Sequence, residues 1–239
     1  MADRFSAAAH VLVADLDAPT LDSEDAHHLS SVLRLRPGEA VGATDGAGAW
    51  RLCRFGTDRS LEAGGLLEPD GVVLRVARTS PALTIAFAPV KGDRPEWAVQ
   101  KLTELGVDKI VLMQTDRSVV RWDPKRAQSH LERLRKVARQ ALMQSRGCWL
   151  PEVSGVVPFS TLASGPGVAR ADRAGRRPTL AHSTVLVGPE GGWSPAEEAR
   201  AIPAVALGSG VMRAETAAVA AGVLMTALRS GLVIPPAGS

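Results

Sequence analysis

The sequence predicts an α/β fold with a mainly parallel sheet, preceded by a smaller β-rich domain. Continuous apolar runs at residues 83–90, 109–114 and 184–188 are typical of strands that are buried on both faces. Helical patterns separate these runs, which favours parallel neighbours joined by crossover helices. In addition, a glycine-rich turn directly follows each of two late strands, as at the ligand-binding edge of many parallel sheets.

The first 77 residues have a different pattern. Short strand candidates alternate there with Gly-containing turn signals, which favours a small barrel. These candidates are residues 10–16, 40–46, 50–55 and 72–78. The pattern changes at residues 78–81, so we predict a β-barrel domain over 1–77 and an α/β domain over 78–239.

Charge is distributed unevenly along the chain. The whole sequence has a formal charge of only +3. Between Arg117 and Arg146, however, nine Lys and Arg residues stand against Asp123 and Glu132. Such an excess suits a polyanionic partner, although an ordinary solvated helix face has the same pattern.

Several classes of protein are disfavoured. No apolar run reaches the roughly 18 residues of a membrane span, and the N-terminus lacks a signal-peptide core, so we expect a cytoplasmic protein without a membrane segment. Cys53 and Cys148 are isolated and no Cys/His ligand spacing occurs, so no metal site is expected. No Ser/His/Asp or Cys/His set with a known local signature appears, which disfavours covalent hydrolysis.

The stretch from Val185 to Ala217 carries the strongest functional pattern. It contains an apolar strand, a GPEGG turn, a capping-box helix start, a second strand and a second glycine-rich turn. The GPEGG turn matches neither the phosphate-binding loop nor the dinucleotide-binding turn. Taken by itself, this turn could equally be a tight strand-to-helix connection that binds no ligand. Two such strands side by side would form a cleft at their carboxyl ends, where we expect a cofactor for group transfer to nucleic acid.

Four blocks in order resemble the RsmE family of ribosomal RNA uridine-N3 methyltransferases, in the SPOUT (α/β-knot) superfamily. The blocks are HHLSSVLRLRPGE (27–39), KGDRPEWAVQKLTELGVDKI (91–110), LVGPEGGWSPAE (186–197) and LGSGVMRAETAA (207–218). The combination of GPEGG with the later R-x-ETA block is more specific than either half. The segment 165–183 matches the family poorly.

The resemblance implies a PUA-like N-terminal barrel that helps to hold RNA and a C-terminal methyltransferase domain with a trefoil knot. It also implies that S-adenosyl-L-methionine binds in the knot and that the protein acts as a homodimer. The implied reaction is methylation of N3 of one uridine in the small-subunit (16S) ribosomal RNA, in the assembled or nearly assembled subunit.

The resemblance also assigns candidate site residues. The cofactor pocket would use Leu186, Gly188, Glu190, Gly191, Leu207, Gly208, Met212, Arg213, Thr216 and Ala217. The RNA side would use Arg4, His28, Arg34, Lys91, Arg94, Gln144 and Arg146.

The reaction suggests roles for three of these residues. The N3 proton of uracil must leave as the methyl group arrives, and the negative charge spreads onto O2 and O4. Arg213 and Arg146 are candidates for stabilising that charge. Glu190 is a candidate base, although it would equally well brace the turn.

Three other functions stay open at this point. The first is a methyltransferase of the same fold that acts on another nucleotide or on transfer RNA. The second is an RNA-binding module with a degenerate cofactor site. The third is a small-molecule enzyme, which would not need the basic helix 124–145.

Overall fold

A computed structural model of the chain describes residues 3–56 and 67–234, except for the side chains of residues 124–126. The chain divides into two compact units, Met1–Arg78 with Arg139–Leu150, and Thr79–Ala138 with Pro151–Ser239. The stretch from Arg139 to Leu150 therefore packs with the N-terminal unit, whereas the sequence analysis places it in the α/β domain.

The described strands of the N-terminal unit form one four-stranded sheet. Its order is β1-β2-β3-β4, with β1 parallel to β2 and the other pairs antiparallel. The strands are β1 (Ala9–Leu12), β2 (Ala40–Thr44), β3 (Ala49–Phe55) and β4 (Leu67–Arg75). Helix α1 (Ser23–His27) begins where Asp22 accepts a hydrogen bond from the Asp25 amide, and a π-helical turn (His28–Val32) follows it. Leu29 in that turn is buried in the core of the unit.

Polar contacts explain why residues 139–150 pack with the N-terminal unit. The Arg139 guanidinium pairs with Asp25 and lies 3.1 Å from Asp22. The Trp149 indole N–H donates to the Val76 carbonyl at 3.1 Å. These partners lie more than 70 residues away along the chain, so no local sequence pattern indicates them.

The second unit contains the expected parallel sheet. Its six strands have the order β10-β8-β9-β5-β6-β7, and each neighbouring pair is parallel. The strands are β5 (Thr84–Phe87), β6 (Lys109–Gln114), β7 (Glu152–Pro158), β8 (Val168–Arg176), β9 (Thr184–Val187) and β10 (Ala204–Val205). The remaining helices of the chain are α2 (Arg94–Glu104), α3 (Pro124–Gln144), α4 (Phe159–Leu162), α5 (Pro195–Glu198) and α6 (Ala214–Arg229). All of them belong to this unit except the part of α3 from Arg139 onwards.

Burial of the central strands follows from their sequences. Ile85, Leu112 and Leu186 are completely buried, as expected for strands covered on both faces. Helix α6 is rich in alanine and packs against α2 and β5. Within the part of the chain that the structure describes, no helix combines the length and the apolarity needed to cross a bilayer.

His10 is a buried titratable residue in the sheet of the N-terminal unit. Its Nε2 lies 3.0 Å from the Gly147 carbonyl oxygen, so the neutral ring donates from Nε2. Its Nδ1 is buried and has no hydrogen-bond partner among the described residues. The pKa of His10 is lowered from 6.5 to about 4, chiefly because the ring is buried. The Gly147 bond acts in the opposite direction, and the charges of Arg4 and Arg146 add to the lowering.

We expect acid to destabilise the protein through His10. Because the folded state lowers this pKa, the stabilisation is complete above pH 6.5 and is lost as the pH falls towards 4. Between pH 7 and pH 5 the wild type should lose about 2 kcal/mol more unfolding free energy than His10→Gln, which does not titrate. Urea unfolding at both pH values measures this difference. Equal losses for the two proteins would contradict the assignment.

Candidate functional site

A cavity of about 320 Å³ lies at the carboxyl end of β9, between β8 and the start of α6. Its apolar wall includes Val187, Leu207 and Met212. Its charged residues are Asp172, Arg173, Glu190 and Glu198. This volume is at the lower end of the range of ligand pockets, about 300–1,000 Å³, and the mixture of apolar and polar groups is typical of them.

The GPEGG turn forms one wall of the cavity. A Cβ atom on Gly188 would lie 3.1 Å from the Trp193 ring, so a side chain there would press on the indole. Ser194 and Glu197 form the capping box expected from the sequence, with reciprocal bonds of 3.2 Å and 2.8 Å. The box fixes the beginning of α5 and hence the end of the turn.

Trp193 contacts two parts of the cavity wall and the neighbouring Phe159. Its side chain is buried, and its ring centroid lies 5.2 Å from that of Phe159. Its indole N–H donates to the Ala171 carbonyl on β8 at 3.0 Å. The tryptophan therefore connects the GPEGG turn to the edge of β8.

Most of the predicted cofactor residues surround this cavity. Six line it directly: Gly188, Glu190, Leu207, Gly208, Met212 and Ala217. Leu186 lies below it, completely buried in β9. Gly191 accepts a hydrogen bond from Arg117 at its carbonyl oxygen. Arg213 and Thr216 are exposed at the beginning of α6.

Sequence reasoning missed several residues that line the cavity. They include Ala171, Asp172, Arg173, Trp193 and Glu198. The first three come from the segment that matches the family poorly, where no motif marks them. Trp193 directly precedes the N-cap of α5 and Glu198 is the last residue of that helix, so the capping box could have indicated their place.

Arg94, a predicted RNA-binding residue, lies between two carboxylates of this unit. Its guanidinium is 3.6 Å from Glu215 and 3.8 Å from Glu190. Glu215 stands two residues after Arg213 in the sequence, and its ion pair is with Arg94. Glu215 is buried, and its Oε2 has no hydrogen-bond partner among the described residues.

The remaining predicted RNA-binding residues divide between the two units. Lys91 belongs to the α/β unit and is exposed. The others belong to the N-terminal unit: Arg4, His28, Arg34, Gln144 and Arg146. His28, Arg34 and Gln144 are exposed.

Arg146 is a predicted catalytic residue as well, and its guanidinium is already engaged. Its Nη1 donates to the backbone carbonyls of Arg4 and Ala7, at 2.7 Å and 2.6 Å. These bonds hold residues near the N-terminus of the chain. Over residues 3–56 and 67–234, no group of three or more His, Cys, Asp or Glu side chains is arranged to hold a metal ion.

Comparison with known families gives matches to two domain models. The model of an RNA methyltransferase domain matches residues 78–226. The model of an RNA methyltransferase PUA domain matches residues 21–62. The PUA-like character expected for the N-terminal part is thereby confirmed.

Relatives and solved structures agree with these matches. Ribosomal RNA small subunit methyltransferase E of Mycobacterium bovis is 34% identical over 226 residues, covering 84% of this chain and 83% of that protein. The Bacillus subtilis protein of the same name is 29% identical over 84% of this chain and 87% of its own length.

Among solved structures, methyltransferase E of Neisseria gonorrhoeae bound to S-adenosyl methionine has a TM-score of 0.74 and 27% identity, covering 92% of this chain and 97% of that one. A probable rRNA-methyltransferase from Porphyromonas gingivalis has a TM-score of 0.77 and 27% identity, covering 94% of this chain and all of the other. The expected α/β fold with a parallel sheet and a PUA-like N-terminal domain is confirmed, and the chain belongs to the ribosomal RNA small subunit methyltransferase E family.

Proposed function

We propose that the protein transfers a methyl group from S-adenosyl-L-methionine to N3 of a uridine in small-subunit ribosomal RNA. The observation that carries this proposal is the cavity at the GPEGG turn, lined by Gly188, Glu190, Leu207, Met212 and other predicted cofactor residues. The family membership of the chain and the cofactor-bound Neisseria gonorrhoeae relative support it.

The residues of the cavity fit this cofactor chemically. Val187, Leu207 and Met212 offer an apolar surface for an adenine ring. Glu190 and Glu198 offer carboxylates to a ligand that carries positive charge on its sulfonium and ammonium groups. When bound, S-adenosylmethionine supplies a methyl group on a sulfonium, which needs no metal to react with a nitrogen nucleophile.

The protein must then control a proton and a charge. As the N3–methyl bond forms, the N3 proton leaves, and charge builds up on O2 and O4 of the uracil. Arg213, exposed at the N-terminus of α6, would present both its guanidinium and the positive end of the helix to those oxygens. Glu190, with 60% of its side chain exposed, would accept the proton directly or through water.

Arg94 would have a positioning role in this arrangement. It holds Glu190 at 3.8 Å and Glu215 at 3.6 Å, and so it ties the GPEGG turn to the beginning of α6. The catalytic role predicted for Arg146 rests on the resemblance alone, since its Nη1 is bonded to two backbone carbonyls.

Three further features belong to the proposal. The N-terminal unit would hold RNA with exposed residues such as His28 and Arg34. The last strand and helix would pass through a knot, which the path from β10 at the sheet edge to α6 beside β5 supports. The protein would act as a homodimer, supported by exposed apolar residues on and after α6, such as Val223 and Ile234.

Methyl transfer can be tested on three substrates in parallel. The protein is incubated with labelled S-adenosylmethionine and small ribosomal subunits that lack the modification, naked small-subunit RNA, or transfer RNA. Mass spectrometry of the digested RNA should find 3-methyluridine in small-subunit RNA. Label in transfer RNA alone would favour a methyltransferase of the same fold that acts on transfer RNA. If the protein neither methylated any RNA nor bound the cofactor, an RNA-binding module would be favoured.

Arg213→Ala tests the charge-stabilising role. Loss of one preorganised donor to a developing oxyanion should lower turnover about 100-fold. The affinity for S-adenosylhomocysteine, measured by calorimetry, should stay within about twofold, because Arg213 does not line the cavity. Full turnover with unchanged affinity would show that Arg213 has no catalytic role.

A further inference from the structure

Arg173 on β8 is the only cationic side chain among the described residues that line the cofactor cavity. It is exposed, so it lies at the mouth of the cavity and not in its interior. No described residue forms an ion pair or a hydrogen bond with its guanidinium. The cavity therefore has one unengaged positive charge at its entrance.

The negative charges around Arg173 are not equally available. Asp172 accepts bonds from the Arg170 guanidinium at 2.7 Å and from the Ala174 amide at 2.9 Å, so both of its oxygens are engaged within β8. Glu190 and Glu198 are exposed, and Glu190 pairs with Arg94 at 3.8 Å. The charged groups that a ligand can reach are thus the carboxylate of Glu198, the carboxylate of Glu190 that Arg94 also contacts, and the guanidinium of Arg173.

This set matches the charges of S-adenosylmethionine, which has one carboxylate, one ammonium and one sulfonium. The apolar wall at Leu207 and Met212 suits the adenine ring, whereas the aminoacyl end has to stay near water or find partners of opposite charge. Arg173 is exposed, which suits the end of the ligand that stays near water. A guanidinium binds a carboxylate with two parallel hydrogen bonds, which gives direction as well as attraction.

We propose that Arg173 binds the carboxylate of the aminoacyl group of S-adenosylmethionine. The inference rests on the proposed function and adds to it a cofactor residue from the segment that matches the family poorly. It also gives that segment a role, since Ala171 and Asp172 line the same cavity and Ala171 accepts the bond from Trp193.

The test compares two ligands that differ in one group. Calorimetry measures the Kd of S-adenosylmethionine and of decarboxylated S-adenosylmethionine, which keeps both positive charges. Arg173→Gln should weaken binding of the first about tenfold and change binding of the second less than twofold. Arg173→Lys keeps the positive charge, so it should recover part of the affinity for the first ligand only.

Arg177→Gln is the matched control, because Arg177 is exposed just beyond β8 and does not line the cavity. Arg177→Gln should leave the Kd of both ligands unchanged. This result would exclude the loss of a positive charge in general as the cause of the weaker binding by Arg173→Gln. Equal weakening of both ligands by Arg173→Gln, or no weakening of either, would overturn the inference. If the wild type bound neither ligand, the proposed function itself would fail, which is a different result from loss of the Arg173 effect alone.

Discussion

Replacing Trp193 by alanine is expected to destabilise the α/β unit and to abolish most of its cofactor binding. The side chain is 6% exposed, and a buried Trp→Ala change costs about 3–5 kcal/mol through lost contacts and the cavity left behind. The change also removes the hydrogen bond to the Ala171 carbonyl and the ring against which Gly188 packs. Chemical unfolding followed by circular dichroism, and calorimetry with S-adenosylhomocysteine, measure the two effects.

Two variants separate the contributions of Trp193. Trp193→Phe keeps a ring next to Phe159 but loses the N–H donor, so it should cost about 1–3 kcal/mol and weaken ligand binding less. Trp97→Ala makes the same chemical change on α2 at a side chain that is 44% exposed, and should cost about 1 kcal/mol or less. A Trp193→Ala protein as stable as Trp97→Ala, with wild-type ligand affinity, would refute the role given to this residue.

Local patterns in the sequence predicted the central part of the site well. The apolar runs that became β5, β6 and β9 are buried because each is covered on both faces, and their spacing with helices implied a parallel sheet. The glycine turns at residues 188–192 and 208–210 lie next to one cavity. The first turn follows β9 and the second lies between β10 and α6, so both are at the carboxyl ends of parallel strands.

Local sequence patterns could not predict the ion pairs between residues that are far apart in the sequence. Arg94 pairs with Glu215, 121 positions later in the chain, because folding brings the beginnings of α2 and α6 together. Arg139, one of the nine basic residues counted between Arg117 and Arg146, pairs with Asp22 and Asp25. A periodic pattern shows which face of a helix is apolar, but it does not identify the residue that meets a charge on the other face.

Arg173 illustrates the same limit at the site itself. Its neighbours in sequence form no motif, and only the pairing of β8 with β9 brings it to the cavity. The resemblance to the family did not assign it either, since the segment 165–183 matches poorly. The place of Arg173 at the cavity follows only from the position of β8 next to β9, the strand that precedes the GPEGG turn.

Arg229→Met is expected to have the largest effect on stability without touching the cavity. Arg229, at the C-terminus of α6, pairs with Asp108, and both side chains are 8% exposed. It also donates to the carbonyls of Gly106 and Pro81, at 2.6 Å and 3.3 Å. Removing Arg229 takes away the positive charge that faces the buried Asp108 carboxylate, so the unfolding free energy should fall by about 3–5 kcal/mol.

Comparison with a second ion pair shows whether burial is the cause. Lys101→Met breaks the pair with Glu104, whose two side chains are 35% and 25% exposed, and should cost less than about 1 kcal/mol. Adding Asp108→Asn to Arg229→Met removes the buried negative charge, while an amide oxygen can still accept the bond from the Leu83 amide. The double variant should therefore be more stable than Arg229→Met alone. If it were less stable, the loss would come from the carbonyl bonds of Arg229 and not from the buried charge on Asp108.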